Sequence, residues 1–84
     1  IKINYRKMFH MRNIVGKQVK EARQNHKPPL TQSELAAKLQ IEGWNIDRVG
    51  ISKIEIGIRE VTDVEILLFS KVLQVSTSWL FGEA

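Results

Sequence analysis

Apolar residues recur every three or four positions over most of the chain, which is the spacing of one face of an α-helix. Alternation of apolar and polar residues, the pattern that predicts β-strands, is not found over a comparable length. Proline and glycine interrupt the helical spacing between the apolar segments. The pattern predicts an all-α domain of five short helices, without internal repeats or a linker long enough to separate two domains.

Two prolines separate the first and second predicted helices. Asn13 can cap the first helix, which ends near residue 24. Pro28 and Pro29 cannot continue it, because proline lacks the amide hydrogen that the helical hydrogen-bond ladder requires. The sequence TQSE then forms a capping box, in which the side chains of Thr31 and Glu34 each bond the other residue's amide. The second helix is therefore predicted to begin sharply at Thr31 and to end near residue 40.

Three further helices are predicted after a connector that contains Gly43. Asp47 can cap the third helix, predicted over residues 47–56, and Gly57 can adopt the left-handed conformation that often ends a helix. A second capping box, TDVE, opens the fourth helix over residues 62–73. Ser76 can cap a short fifth helix, which returns Trp79 to the core.

Composition limits the classes of function. The chain has no cysteine, which excludes disulfides and thiolate chemistry. No apolar run approaches the roughly 18 residues that a membrane span requires, so we expect a cytoplasmic protein. His10 and His26 have no acid or nucleophile at a suitable spacing, and the sequence has no phosphate-binding glycine loop. We therefore expect no enzymatic activity, no cofactor, no metal and no small-molecule site.

The formal net charge of +4 is concentrated near the N-terminal end. Residues 1–30 contain eight Lys or Arg and one Glu, whereas residues 31–84 contain five Lys or Arg and eight acids. Residues 1–12 are predicted to be a leader, either disordered or derived from an expression vector or an upstream extension, with the domain at residues 13–82. Without the leader's Lys2, Arg6 and Lys7 the charge would be +1. Charge alone is therefore weak evidence for nucleic-acid binding.

The outer face of the third predicted helix is more informative than the net charge. Opposite its apolar stripe it carries Arg48, Val49, Ser52 and Lys53. Basic side chains can donate to guanine, serine can bond several bases, and valine can contact a thymine methyl group. Taken alone, the same residues fit an ordinary solvated surface equally well, because charged surface helices are common.

Two linked stretches, TQSELAAKL and DRVGISKIEIG, resemble the helix-turn-helix of the phage repressor and Cro family. VGKQVKEAR and VTDVEILLFSKVLQVSTSWLFG resemble the helices that flank that motif, so the resemblance covers residues 13–82. It implies a compact lambda-repressor-like bundle that acts as a sequence-specific transcriptional regulator of repressor type on double-stranded DNA. The third helix would enter the major groove while the second lies across the DNA backbone.

The resemblance also implies roles for individual residues. Base-contacting positions of the family are matched by Arg48, Val49, Ser52 and Lys53. Gln32 matches the family's phosphate-contacting glutamine at the start of the second helix, where the helix dipole also favours an anion. Asn45 and Arg59, just before and just after the third helix, are candidate phosphate contacts that position the protein on DNA.

The connector between the second and third helices departs from the family. The family's turn usually has three or four residues, with a glycine directly after the second helix. Here Gln40 stands at that position and about five extra residues intervene. We expect an enlarged turn in which Ile41 or Trp44 packs against the helix pair and keeps its crossing angle. Contact of Trp44 with the DNA backbone or a partner is the alternative.

In a second departure from the family, Ile56 stands at the end of the third helix, where the family often has a polar residue.

Two further contacts are predicted. Arg23 and Glu55 lie at the edges of apolar stripes, and the family often links residues of these types, so we expect a buried ion pair; two separate solvated charges are the alternative. Symmetric operators imply a homodimer. Since Trp79, Leu80 and Phe81 cannot all face one small core, at least one is expected at a subunit contact or unusually exposed.

The rival hypothesis of function is a protein-interaction module of antitoxin or controller type on the same fold.

Overall fold

A computed structural model describes residues 4–83, and its regular secondary structure in that range is entirely helical. The helices are α1 (Tyr5–Met8), α2 (Gly16–Asn25), α3 (Gln32–Ile41), α4 (Arg48–Glu55), α5 (Asp63–Leu73) and α6 (Thr77–Leu80). The five predicted helices correspond to α2–α6. The predicted number was wrong by one, because α1 lies in the predicted leader, whose residues 1–3 are outside the described range. None of these six helices is long and apolar enough to cross a membrane.

The extra helix α1 is a local structure. The side chain of Asn4 accepts a hydrogen bond from the Lys7 amide at 3.2 Å, which caps the helix. No residue of α1 is buried. The apolar spacing that predicted the other helices reflects burial, and this is why it did not reveal α1.

Both predicted capping boxes are confirmed. At the start of α3, the Glu34 amide donates to the Thr31 hydroxyl at 3.0 Å, and the Thr31 amide donates to the Glu34 carboxylate at 2.8 Å. Thr62 and Glu65 form the same pair of bonds before α5. The Thr31 amide lowers the pKa of the Glu34 carboxyl. This contribution to stability is therefore present at neutral pH and is lost as the pH falls through the lowered pKa.

Left-handed glycines end α3 and α4. Gly43 has a φ of +99° and Gly57 a φ of +84°, which residues with a Cβ rarely adopt. After Gly43 the Trp44 amide donates to the Leu39 carbonyl at 3.1 Å, and α4 ends with the same arrangement. These Schellman motifs determine where the chain leaves each of the two helices.

The core lies where α2, α3 and α4 meet α5 and α6. Its largest fully buried side chains are Val15, Val19, Leu35, Leu39, Ile51, Ile54, Phe69 and Leu80. Each such side chain contributes about 1.5 to 3 kcal/mol by leaving water. Ile51 and Ile54 turn one face of α4 into this core, so the opposite face of α4 is on the surface.

Asn13 joins the start of α2 to the end of α4. Its side-chain oxygen accepts hydrogen bonds from the amides of Val15 at 3.1 Å and Gly16 at 2.7 Å, and so caps the helix from outside its first turn. Its side-chain nitrogen donates to the carbonyls of Ile54 at 3.1 Å and Arg59 at 2.8 Å. One amide group therefore satisfies the free backbone groups of two helix ends.

The predicted ion pair between Arg23 and Glu55 is confirmed and buried. Arg23 Nε donates to Glu55 Oε2 at 2.7 Å and Nη2 donates to Oε1 at 3.0 Å. The Arg23 and Glu55 side chains are only 10% and 2% exposed. Arg23 Nη1 also donates to the Leu30 carbonyl at 2.9 Å, and the Gln32 side chain donates to Glu55 at 3.0 Å. The pair therefore connects α2, the start of α3 and the end of α4.

Candidate functional site

The outer face of α4 is exposed where the sequence predicted it. Arg48, Val49 and Lys53 are exposed and Ser52 is half-buried, whereas Ile51 on the opposite side is 0% exposed. Val49 exposes 47% of its surface, although an aliphatic side chain is usually covered. The four predicted base-contacting residues therefore share one accessible helix surface.

Two cations bracket this surface. Arg48 begins α4 directly after its cap Asp47, whose carboxylate accepts from the Gly50 amide at 2.8 Å. Lys53 lies in the last turn and, at helical spacing, is about 140° further around the axis. Within residues 4–83 neither cation forms an ion pair with a carboxylate. Their charges are therefore available to an external anion.

The structure brings Gln32 next to α4. Gln32 is the first residue of α3, and its side-chain nitrogen donates to Glu55 at the end of α4. The residue is half-buried. This bond links the N-terminus of α3, where unpaired amides can face an anion, to the buried ion pair.

Asn45 is exposed and lies just before the cap of α4. Its neighbour Ile46 is only 5% exposed, and the Ile46 carbonyl accepts a hydrogen bond from the Gln40 side chain at 2.7 Å. The burial of Ile46 was not predicted. The connector is therefore anchored beside Asn45, while Asn45 itself is exposed.

Arg59 has intramolecular partners that the sequence did not indicate. Its Nη1 donates to the Glu60 carbonyl at 2.7 Å and to the Glu65 carboxylate at 3.2 Å. Its Cζ lies 5.5 Å from the centroid of the Trp44 ring, a cation–π contact. The Arg59 side chain is 34% exposed, so part of it remains accessible to a ligand. No signal in the local sequence connects Arg59 with Trp44, fifteen positions earlier in the chain.

Trp44 packs on α5. Its ring lies edge-on to Phe69, with centroids 5.2 Å apart and an angle of 73° between the planes. Ile41, the other candidate for this packing, is 82% exposed. The ring thus packs against the core to which α3 and α4 contribute, and the contacts with Phe69 of α5 and with Arg59 were not predicted. Ile56 is 67% exposed at the far end of α4.

Comparison with known proteins agrees with this geometry. The model of a helix-turn-helix family matches residues 19–80, which run from within α2 to the end of α6. The chain belongs to this helix-turn-helix DNA-binding family. A search of curated proteins and a search of solved structures each returned no match.

The helix-turn-helix domain is a DNA-binding regulatory unit. Its family match includes α3, the connector and α4. The two exposed cations of α4 and the start of α3 therefore belong to one DNA-binding motif. Gln32 and Asn45 lie within that motif, and Arg59 follows it.

Proposed function

We propose that this domain is a sequence-specific DNA-binding transcriptional repressor that inserts the outer face of α4 into the major groove. The observation that carries the proposal is the exposed face of α4, on which Arg48 and Lys53 form no ion pair with a carboxylate of residues 4–83 and Val49 is exposed between them. The major groove is about 12 Å wide and admits a helix presenting such residues to base edges. Binding of the domain to its operator would be sufficient to repress transcription.

Base contacts are assigned to the four residues of this face, and backbone contacts to the residues around it. Gln32, Asn45 and Arg59 would contact phosphates, which position the domain without distinguishing sequences. We further propose that residues 42–47 form an enlarged version of the family's turn. The domain would span residues 13–82, with residues 1–12 as a leader.

Selection of bound sites from a random DNA pool tests this function. A single enriched sequence, bound more tightly than a random duplex at the same salt concentration, is expected. The affinity for random duplex should fall steeply with salt, because phosphate contacts release counterions. Enrichment of no sequence would contradict specific recognition, and the absence of salt-dependent binding would contradict the DNA interface itself.

Arg48→Ala is expected to weaken binding to the selected site by about 1 to 3 kcal/mol and to relax the preference at one base pair. Arg48 is the first residue of α4, at the end proposed to contact bases, so its removal would take away one hydrogen-bonding group. The measurement is the ratio of specific to random-duplex affinity at fixed salt.

Lys20→Ala provides the control for Arg48→Ala. Lys20 is an exposed cation of α2 and lies outside the proposed contacts. Its loss should reduce the affinity for both duplexes to a similar, small extent and leave their ratio unchanged. If Arg48→Ala and Val49→Ala both leave the ratio at the wild-type value, α4 does not distinguish bases.

An apolar surface supports a homodimer. Two shallow grooves meet at Ile66 and Phe81; one continues to Ile14 and the other to Val64 and Leu67. We call these five residues the Phe81 surface. Val64 and Leu67 are each 62% exposed. A contiguous apolar area of this kind favours a protein contact. Of the three C-terminal apolar residues, Leu80 is buried and Trp79 lines a different cleft. Phe81 lines both grooves and is the one we assign to the contact.

A second copy of the chain is the occupant that DNA binding favours. Two-fold operators need two equivalent helices about one DNA turn, roughly 34 Å, apart. The domain measures 35 × 22 × 20 Å, so two touching copies can meet this spacing. A different protein on the Phe81 surface would instead support the interaction-module hypothesis.

Leu67→Glu is expected to raise the dissociation constant of the dimer by about tenfold or more, because each copy would bury an unpaired carboxylate. Sedimentation equilibrium measures this constant. Ile41→Glu is the matched control, since Ile41 is also an exposed aliphatic residue but lies outside the Phe81 surface. A wild-type protein that is monomeric both free and on DNA containing a single half-site would contradict the homodimer.

A further inference from the structure

Four side chains form a stack beside α4. Phe69 of α5 contacts the edge of Trp44, Arg59 lies over the Trp44 ring, and Glu65 of α5 holds the Arg59 guanidinium. Trp44 belongs to the connector before α4, and Arg59 to the segment after it. The stack therefore attaches the segments at both ends of α4 to α5, which is a separate, longer helix.

The connector has additional anchors on both sides of Trp44. The Trp44 amide donates to the Leu39 carbonyl at 3.1 Å, and the Ile46 amide donates to the Trp44 carbonyl at 2.8 Å. The Gln40 side chain holds the Ile46 carbonyl. Backbone hydrogen bonds thus fix the path of the chain, and two side chains join this segment to α5: the Trp44 ring, which contacts Phe69, and Glu42, which forms an ion pair with Lys71.

A fixed path of the connector matters because α4 is short. It has eight residues, and a connector of residues 42–47 precedes it. A longer connector has more accessible conformations than a tight turn, and its ordering needs compensating contacts. Base contacts tolerate displacements of only about 0.5 Å. Small movements of the first turn of α4 would therefore reduce selectivity even while the fold persists.

We propose that Trp44 is a positioning residue for DNA recognition. Its ring, held between Phe69 and Arg59, keeps Arg48 in the orientation that contacts bases, and the ring itself does not contact DNA. The inference rests on the function proposed above and adds a specificity-determining residue outside the exposed face of α4. Trp44 is half-buried, and Phe69 and Arg59 are already packed against its ring.

The test compares Trp44→Leu, Trp44→Phe and the wild-type chain on the selected site and on a random duplex. Trp44→Leu should lower the ratio of specific to random-duplex affinity by about tenfold, equivalent to one lost base contact. Its affinity for random duplex and the dependence of that affinity on salt should stay unchanged, because no phosphate contact is removed. Trp44→Phe retains an aromatic ring and should restore most of the ratio.

Trp79→Leu is the matched control. Trp79 is also half-buried, but it lines a cleft with Ala22 and Leu73, away from the connector. Its replacement by leucine also removes one indole ring and should leave the ratio of specific to random-duplex affinity near the wild-type value. Each variant is compared at a temperature where its unfolding curve shows it to be folded.

Amide hydrogen exchange provides a measurement that needs no DNA. In Trp44→Phe, and in Trp44→Leu if that variant folds, the Gly50 and Ile51 amides should exchange faster relative to Val19 in α2 than they do in the wild type. Unchanged relative exchange together with an unchanged affinity ratio would overturn the positioning role. Equal losses on both duplexes with a weaker salt dependence would also overturn it, since they would indicate that Trp44 touches the DNA backbone.

Failure of this inference can be distinguished from failure of the proposed function. If the wild-type chain prefers its selected site and the Trp44 variants keep that preference, only the role of Trp44 is wrong. If the wild-type chain itself shows no preference, the proposed function is wrong and a positioning role in recognition is overturned with it.

Discussion

Arg23→Met is expected to lower the free energy of unfolding by about 3 to 5 kcal/mol. The substitution leaves the Glu55 carboxylate, whose side chain is 2% exposed, without its main partner, and it also removes the donor to the Leu30 carbonyl. The Gln32 side chain would remain as one neutral donor to Glu55. A buried charge supported by one amide is much less stable than the same charge opposite a guanidinium.

Removing both charges is expected to cost far less than removing one. The double variant Arg23→Met/Glu55→Met has no uncompensated charge, and its apolar side chains fill similar space. Urea denaturation of the two single variants and the double variant would measure the coupling between the residues. The matched control is Arg12→Met, because the pair Arg12–Glu60 is 68% and 78% exposed and should contribute less than about 1 kcal/mol. Equally small losses from Arg23→Met and Arg12→Met would show that burial adds nothing to the pair.

The features that could be predicted are those determined locally or by helical period. Both capping boxes lie within four consecutive residues, so the side chain and the amide that it bonds are neighbours in sequence. The two faces of α4 follow from its period, because Ile51 and Ile54 must share a side. The ion pair Arg23–Glu55, although it joins distant segments, could be predicted because each residue lies at the edge of an apolar stripe and because the family that the sequence resembles often links residues of these types.

Contacts between distant segments could not be predicted in the same way. The position of Trp44 depends on Phe69 and Arg59, whose approach is decided by how α5 packs on the other helices. The sequence indicated only that an aromatic residue in a connector needs something to cover it. For the same reason, Arg59 was expected to be a free phosphate contact, and its bonds to Glu65 were missed.

The difference between local and long-range contacts also distinguishes two properties of the candidate site: which residues form the outer face of α4, and how that face is oriented. The outer face of α4 is a property of one helix, and its residues could be listed from their spacing. The orientation of that face depends on long-range contacts, among them the bonds of Asn13 to Ile54 and Arg59. The proposed recognition of DNA would therefore depend on residues that the sequence pattern does not associate with DNA.

Gly16 is a second position where a small change should have a large effect. A Cβ built on Gly16 would lie 1.9 Å from the carbonyl oxygen of Ile54 and 2.9 Å from its carbonyl carbon. These are backbone atoms of α4, so no side-chain rotation can relieve the overlap. The sequence did not indicate this approach, because it depends on how α4 packs against α2.

Gly16→Ala is therefore expected to destabilise the domain by about 3 kcal/mol, at the upper end of the usual cost of overpacking. The expected sign is opposite to that of the ordinary helical substitution, in which alanine is favoured over glycine by up to about 1 kcal/mol. Because α2 and α4 would have to separate, the hydrogen bonds of Asn13 that join them should be lost as well. Urea denaturation gives the change in stability, and amide exchange of Val15 and Gly57 reports on the separation.

Two comparisons make the Gly16 prediction specific. Gln24→Ala, at an exposed position of α2, should leave stability nearly unchanged or slightly raised, which excludes a general effect of alanine in that helix. Gly43→Ala meets no atom within 4 Å and is disfavoured only by its φ of +99°, so it should cost about 1 to 2 kcal/mol. A Gly16→Ala variant as stable as the wild type would mean that α2 and α4 can move apart freely. In that case the bonds of Asn13 would not hold α4 in position, and the orientation of its outer face would depend on its packing against α3 and on the α5 contacts of the segments at its ends.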